Sequence, residues 1–326
     1  MKHQKAADIK KYGKAFGHVC SVLSIVYVFA ALCGTDPSVF RGLDGRLCLP
    51  VCAAGIALKC TTVWMSAGAW CLWLEFYAKK RCSRKEAFRV YAKANIGKYL
   101  PGNVMHYVER NLFAEKLQLS QKQIAAASIS EIAGLVLAAF LMGMLFGYRQ
   151  VREVCFVLLE KIPFLRAVWE SLSENRKSGG NVSISSVTLR VAGVCITLAV
   201  LILFCYAARH FGSKPFWRTF LTNLVIYAAV LAMLGVILVP VCWCLGQRPN
   251  LHQAMRMIAA YSLAWVFGFV VPGAPGGIGV RELVLTLLLA PVIGKDTVAV
   301  LGVLHRLLTV AGDFLVYLLR GRQSFL

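Results

Sequence analysis

The sequence predicts an all-α, polytopic membrane protein with about eight transmembrane helices, and three observations support this fold class. The 326 residues are 58% hydrophobic with a mean hydropathy of +0.65, and several apolar runs approach the ~20 residues that cross a bilayer. Lys and Arg cluster in the gaps between these runs. Two Pro-Gly stretches, residues 99–110 and 271–282, interrupt the apolar sequence. Residues 1–326 are predicted to form a single transmembrane domain.

Basic residues between the spans set the predicted orientation, because cytoplasmic loops carry an excess of Lys and Arg. Residues 79–98 contain eight Lys and Arg against Glu86 alone, and residues 1–14 contain five Lys against Asp8. Both segments are therefore predicted to be cytoplasmic in the cell membrane, and an even number of crossings places both termini there. The predicted spans cover residues 15–34, 47–76, 124–148, 186–208, 220–245, 257–271, 283–293 and 297–319.

Two parts of the chain fit this topology poorly. The run at 283–293 has about 11 residues and is too short to cross ~30 Å of hydrocarbon as a helix by itself. Residues 149–190 mix apolar and charged residues, which favours an interfacial or re-entrant helix. If this region is outside, its seven Lys and Arg against four Asp and Glu oppose the positive-inside rule.

The net charge of +21 could suggest a nucleic-acid partner, but the position of the basic residues between apolar runs fits topology and contact with anionic lipid better. The twelve Cys are scattered and include no C-x-x-C pair, so they are predicted to be free packing residues. We predict no metal site, no cofactor and no nucleic-acid partner. A homodimer is compatible with the sequence.

The two Pro-Gly stretches share an organisation. Each begins with Pro-Gly beside apolar sequence and ends in an adjacent acid and Arg, Glu109-Arg110 in the first and Arg281-Glu282 in the second. Irregular backbone at membrane depth is tolerated where it is buried in protein or lines a wet cavity, and interrupted segments in two halves point to a transport site. We predict two cytoplasmic re-entrant or broken helices in a parallel repeat of four plus four helices; surface turns are the alternative. Their helix-breaking residues are Pro101, Gly102, Pro275, Gly276, Gly277 and Gly279.

Charges inside apolar runs are costly, about 2.5–3.5 kcal/mol each at a helix centre on the insertion scale, and therefore need a partner or a cavity. Glu131 lies in the third predicted span, and Arg306 and Asp313 lie in the eighth. A structural ion pair is one interpretation, with Glu131 and Arg306 or Arg306 and Asp313 as partners. We expect Glu131 and Arg306 to meet across the two helices.

The functional interpretation is a site for an anionic headgroup. Three arginines would converge on it and three glutamates would hold them, because the planar guanidinium binds phosphate bidentately and stays charged. His106 could donate to a phosphate, or could be a packing residue beside Tyr107. The predicted substrate-binding residues are Arg110, Arg281, Arg306, Glu109, Glu131, Glu282, Asn103 and His106.

These residues resemble a known family. Residues 98–110, the helix around Glu131, the block Pro275-Gly276-Gly277-Ile278-Gly279-Val280-Arg281-Glu282, and Arg306 resemble the flippase-like membrane domain of the lysylphosphatidylglycerol synthase family. The resemblance implies about eight helices with re-entrant segments around a lipid-headgroup cavity, without the aminoacyl-transferase domain of the bifunctional members. Ile132 after Glu131, and Glu109 before Arg110, depart from the family pattern.

The sequence therefore favours a lipid transporter that moves an anionic or zwitterionic headgroup between leaflets. An integral membrane transferase, or an accessory subunit acting on lipid-linked sugars, is the alternative, and a lipid-binding scaffold is a third interpretation. No paired carboxylates, G-x-S-x-G elbow, H-E-x-x-H helix or Walker motif occur in the sequence, so we do not expect an enzyme.

Overall fold

A computed structural model describes residues 44–99, 105–112, 117–161, 214–270 and 275–321. Within these residues, one compact unit comprises 44–147 with 221–321, and the second comprises 148–161 with 214–220. The described secondary structure is helical, which confirms the predicted all-α class. The helices are α1 (Gly45–Ala78), α2 (Arg84–Ala94), α3 (Met105–Leu112), α4 (Gln121–Lys161), α5 (Lys214–Val236), α6 (Leu238–Cys244), α7 (Leu251–Val270), α8 (Val280–Ile293) and α9 (Lys295–Val316).

Four stretches are long and apolar enough to cross a membrane: Gly45–Ala78, Gln121–Gly147, Lys214–Cys244 and Lys295–Arg320. They correspond to the predicted spans at 47–76, 124–148, 220–245 and 297–319, and they make the protein membrane-embedded. Helix α8 has 14 residues, about 21 Å, which is shorter than the ~30 Å of hydrocarbon in a bilayer. The spans predicted at 15–34 and 186–208 lie outside the described residues, so the count of eight stays a prediction.

Side-chain and backbone interactions define where several helices begin and end. Asp44 caps α1 by accepting a hydrogen bond from the backbone N–H of Arg46 at 3.0 Å, and the Ser83 hydroxyl accepts one from Glu86 at the start of α2. Helix α2 continues into a 3-10 turn at Asn95–Tyr99. Helix α4 is kinked at Gly147, and Pro240 in α6, which lacks an N–H, follows the break between α5 and α6.

Helices α1 and α9 run in the same direction. Gly55 packs against Leu308, and one turn further along each helix Lys59 packs against Gly312, so the contact positions rise together. The thiol of Cys60 also donates to the Gly312 carbonyl oxygen at 3.6 Å. Two parallel spanning helices are what the predicted topology requires of these two segments, because both would cross from outside to inside.

Glycines allow other helices to approach closely, as small residues do in membrane bundles. A Cβ at Gly134 in α4 would lie 2.7 Å from the Tyr227 ring in α5, and a Cβ at Gly235 would lie 2.7 Å from the backbone of Ile258 in α7. These contacts hold α4, α5 and α7 close enough to enclose a polar space between them and α1.

The backbone after α7 explains the glycines of the second Pro-Gly stretch. Pro275–Gly277 forms a 3-10 turn, and Gly276, Gly277 and Gly279 have φ values of 57°, 74° and 81°. Residues with a Cβ rarely adopt these conformations, so only glycine makes this turn without strain. The turn brings the start of α8 back against α7.

Candidate functional site

A cavity within the first unit collects charges from most of its helices. Its volume is about 130 Å³, well above the roughly 10–15 Å³ that one water molecule needs. We call it the central cavity. Its charged lining residues are Lys59, Lys98, Arg110, Glu131, Arg281, Glu282, Arg306 and Asp313.

The first group of charges, the Arg110 cluster, joins α2, α3 and α4 through Arg110, Glu131 and Tyr91. The Arg110 guanidinium forms a salt bridge to one carboxylate oxygen of Glu131, and the Tyr91 hydroxyl donates to the other at 2.8 Å. Arg110 and Glu131 are each 1% exposed. Both carboxylate oxygens therefore have protein partners.

Aromatic rings complete the surroundings of Arg110. The guanidinium carbon lies 4.0 Å from the ring centroid of Tyr91, 5.0 Å from that of Tyr107 and 5.1 Å from that of Trp70. Cation–π contacts of this kind stabilise a desolvated cation. Arg110 thus contacts a carboxylate and three rings, which is the environment of a structural ion pair.

The second group, the Asp313 cluster, ties α1 and the turn after α2 to α9. The Asp313 carboxylate lies 3.2 Å from the Lys59 ammonium nitrogen and 2.6 Å from that of Lys98. Asn95 and the Tyr99 hydroxyl donate to it at 2.7 and 2.6 Å. Asp313 is 1% exposed, whereas the Lys98 side chain is 21% exposed. One buried carboxylate therefore shares two cations, and Lys98 keeps access to water.

The third group, the Glu282 cluster, lies at the second Pro-Gly stretch. One carboxylate oxygen of Glu282 accepts from Arg306 at 2.9 Å, and the other accepts from the backbone N–H of Gly279 at 2.6 Å. Arg306 also donates to the Gly276 carbonyl oxygen at 3.1 Å. Glu282 therefore caps α8 while it holds Arg306 against the glycine turn.

Arg281 is differently placed. Within the described residues its guanidinium has no carboxylate partner, and its buried Nε has no hydrogen-bond acceptor. Its aliphatic stem lies over Gly268, where a Cβ would be 2.5 Å from Cγ. The side chain lines the central cavity from the same glycine turn that binds Arg306. A cation held in this way needs a counterion.

The structure places the remaining predicted residues less uniformly. His106 is buried, lines the cavity and contacts Tyr107, with 3.8 Å between the ring centroids and 41° between the ring planes. Burial and the nearby Arg110 hold the pKa of His106 well below its ordinary value, so the ring is neutral. Glu109 lies outside the cavity with its carboxylate against Gly97. Pro101, Gly102 and Asn103 lie outside the described residues.

The predicted pairing of Glu131 with Arg306 is wrong. Glu131 pairs with Arg110, and Arg306 pairs with Glu282, its neighbour across the α8–α9 packing. The alternative pairing of Arg306 with Asp313 is wrong as well, because Asp313 binds two lysines. The expected role of Glu109 in holding an arginine inside the cavity is not what the structure shows. The partner of each acid depends on how the helices and turns pack, which sequence spacing does not reveal.

Sequence reasoning missed Lys59 and did not assign Lys98, Tyr91, Asn95 or Tyr99 to the site. Lys59 could have been identified from the sequence, because a lysine within an apolar span is rare and indicates a charged partner or a cavity. Tyr91 and Asn95 could not have been identified in this way. They lie in a basic, amphipathic segment, and only the packing of α2 against α1 shows which of its faces is buried.

The described charges of the cavity do not balance. Five cations (Lys59, Lys98, Arg110, Arg281 and Arg306) line it together with three carboxylates (Glu131, Glu282 and Asp313). Counted as formal charges with the histidines left out, the difference is two positive charges. Such an excess in a confined polar space favours binding of an anion. No protein-family model matches the chain, and no curated protein matches it.

Proposed function

We propose that the protein is a membrane lipid transporter of the flippase type, which binds an anionic, phosphate-containing headgroup in the central cavity and moves it between leaflets. The observation that carries this proposal is Arg281, a cavity-lining cation without a carboxylate partner among the described residues. The resemblance of its sequence block to the flippase-like domain of the lysylphosphatidylglycerol synthase family supports the same function.

The contacts of the three arginines support a different proposed role for each. Arg281 is the proposed headgroup ligand, because a phosphate would supply the missing acceptors for its guanidinium. Arg306 reaches the same glycine turn and is 18% exposed, so it would contribute the second positive charge while Glu282 holds it in place. Arg110 would support the cavity wall without touching the lipid. Lys98, whose backbone lies beside Gly276, would add a third cation from the Asp313 cluster.

The proposal includes the topology that the sequence suggested. The two Pro-Gly stretches would be re-entrant or broken segments on the cytoplasmic side of a protein with about eight crossings, so that each brings a guanidinium to membrane depth. Cysteines introduced at residues 100–104 and 271–277 would then react with a cytoplasmic, membrane-impermeant maleimide at intermediate rates. Full labelling of both stretches from the outside would contradict this topology.

The transport assay uses purified protein in vesicles that contain a trace of phosphatidylglycerol with a fluorescent, dithionite-reducible acyl label. Dithionite destroys the label in the outer leaflet, so transport appears as loss of the protected inner-leaflet signal. The assay is run with and without a proton gradient. We expect Arg281→Gln to lower the rate by about ten- to a hundredfold, the range for losing a hydrogen bond to a charged group. Arg281→Lys should recover part of it, because a point charge lacks the planar fork.

The matched control is Arg248→Gln, which removes the same charge from an exposed arginine that stacks on Trp243 outside the cavity. It should transport like the wild type. Normal transport by Arg281→Gln would contradict the proposed ligand role. Chromatography of the recovered lipid is the second readout, because a chemically altered headgroup would replace transport with the transferase alternative.

A further inference from the structure

A second, more open groove lies in the same unit, between α1, α2 and the chain after α9, with a volume of about 610 Å³. Helix α1 contributes Cys60 and Trp64, and α2 contributes Arg84 and Phe88, pairs that lie one turn apart on one helix face. Arg320, in the turn that ends α9, closes the third side. We call this the cationic groove.

The cationic groove has a rim of basic side chains and an apolar floor. Arg84, Lys85, Arg89 and Arg320 line it, and its described lining includes no Asp or Glu. Between these cations the surface is apolar, with Trp64 66% exposed. Leu319 and Val316 continue this apolar surface along the end of α9. An apolar slot bordered by the exposed cations Arg84, Lys85 and Arg320 matches a molecule with a hydrocarbon chain and an anionic head.

Helix geometry places the groove near one membrane surface. Gly55 and Lys59 of α1 pack against Leu308 and Gly312 of α9, so Trp64 lies level with about residue 317. Arg320 is the last residue of the candidate span Lys295–Arg320, which runs parallel to α1. Trp64 therefore lies within about one helical turn of Arg320, where that span ends. The excess of Lys and Arg at residues 79–98 indicates that this end is cytoplasmic.

We propose that the cationic groove is a binding site for an anionic phospholipid of the cytoplasmic leaflet, separate from the central cavity and independent of transport through it. The lipid phosphate lies between Arg84 and Arg320, and an acyl chain lies along Trp64 and Leu319. Basic pockets between helices on this side of a membrane are suited to anionic headgroups. The basic N-terminal segment of the chain is a poor occupant, because residues 1–14 carry five Lys against one Asp and the rim repels them.

The test reads occupancy at Trp64 by fluorescence quenching. Purified protein is reconstituted into phosphatidylcholine vesicles that contain a fixed fraction of either dibrominated phosphatidylglycerol or dibrominated phosphatidylcholine. Bromine quenches tryptophan on contact, and the difference between the wild type and Trp64→Phe isolates the signal of Trp64 from the other tryptophans. We expect the brominated phosphatidylglycerol to quench Trp64 more strongly than the brominated phosphatidylcholine at the same fraction.

Two double variants with the same charge change separate a site from a charged surface. Arg84→Gln with Arg320→Gln removes two exposed cations from the rim, and Lys79→Gln with Arg81→Gln removes two exposed cations of the same basic segment outside the groove. The rim variant should lower the phosphatidylglycerol preference by roughly 25-fold, since each of the two cations near an anionic headgroup contributes about fivefold in affinity. The control variant should keep the preference. All four residues are exposed, so thermal unfolding should match the wild type in both.

Three results would overturn the proposal. Equal quenching of Trp64 by the two brominated lipids would show no headgroup selection. A preference that survives in the rim variant would exclude Arg84 and Arg320 as ligands. An equal loss in both double variants would assign the preference to general surface charge. None of these results depends on transport, so the proposal fails or stands separately from the function of the central cavity.

Discussion

Arg110 and Arg281 both line the central cavity, but they differ in how the protein compensates their charge. Arg110 is 1% exposed, salt-bridged to Glu131 and enclosed by the rings of Tyr91, Tyr107 and Trp70. The Arg281 side chain lies against Gly268 and Gly277, and its guanidinium forms no salt bridge with a described carboxylate. One cation is compensated within the protein and the other is not.

This difference separates stability from function in a way that sequence motifs cannot. Both arginines stand beside a glutamate at the end of a Pro-Gly stretch, so the sequence suggests equivalent roles. In the fold, Glu109 points away from its neighbour and Glu282 binds Arg306, so neither adjacent acid pairs with the arginine beside it. For a buried pair such as Arg110–Glu131, the largest effect on stability comes from removing one partner, because the other is then an uncompensated buried charge.

The largest expected effect comes from breaking the compensated side of the comparison. Glu131→Gln leaves Arg110 buried without a counterion, and we expect a loss of about 3–5 kcal/mol in the free energy of unfolding. Thermal unfolding in detergent measures it. The double variant Glu131→Gln with Arg110→Gln should lose much less than the single variant. If the single and double variants unfold alike, the pair does not couple the helices.

A smaller loss should follow from Asp313→Asn, which strands Lys59 and Lys98 together. Because the Lys98 side chain is 21% exposed, water compensates part of its charge, and we expect about 2 kcal/mol, below the effect of Glu131→Gln. Adding Lys59→Met to Asp313→Asn should restore part of the stability. An equal or larger loss than that of Glu131→Gln would indicate that Lys98 has no access to water.

A substitution at Gly268, against which Arg281 packs, should displace the Arg281 side chain without removing its charge. In Gly268→Ala the new Cβ would lie 2.5 Å from Cγ of Arg281, so we expect a destabilisation of about 1–3 kcal/mol and slower transport. Gly302→Ala is the matched control, because its Cβ would make an ordinary 3.6 Å contact with Glu282. Transport by Gly268→Ala at the rate of Gly302→Ala would show that the position of Arg281 is unimportant.

Much of the fold followed from the sequence, because long apolar runs have few solutions in a bilayer. The runs at 47–76 and 297–319 became α1 and α9, and the short run at 283–293 became α8 with the length that its residues imply. The left-handed glycines of the second Pro-Gly stretch were foreseeable as well, since Pro and Gly density predicts a break in the helix.

The partners of the charges could not be predicted in the same way. Which acid pairs with which base depends on the helix faces that meet and on turns that displace a side chain by a few ångströms. Glu131 and Arg306 both lie deep in apolar runs, which made them plausible partners, but Arg110 reaches Glu131 from the short helix α3. Arg110, Arg281 and Arg306 do line one cavity, while their predicted convergence on an anionic group stays a prediction. What the sequence did not distinguish was which of the three lacks an acid.

Arg281→Gln should change stability least of these variants, and it also gives the most direct test of the account. The test uses glycerol phosphate, a water-soluble analogue of the headgroup. Because it has no acyl chain, it lacks the part of a lipid that would occupy the cationic groove. Without ligand, the variant should unfold at the wild-type temperature or above it, because an uncompensated charge is gone. Glycerol phosphate should raise the unfolding temperature of the wild type, reaching about 2.7 kcal/mol of stabilisation at a hundredfold excess over its Kd, and should leave that of Arg281→Gln unchanged. Unfolding of Arg281→Gln well below the wild type, with the ligand-induced rise retained, would contradict the account and make Arg281 a structural residue like Arg110.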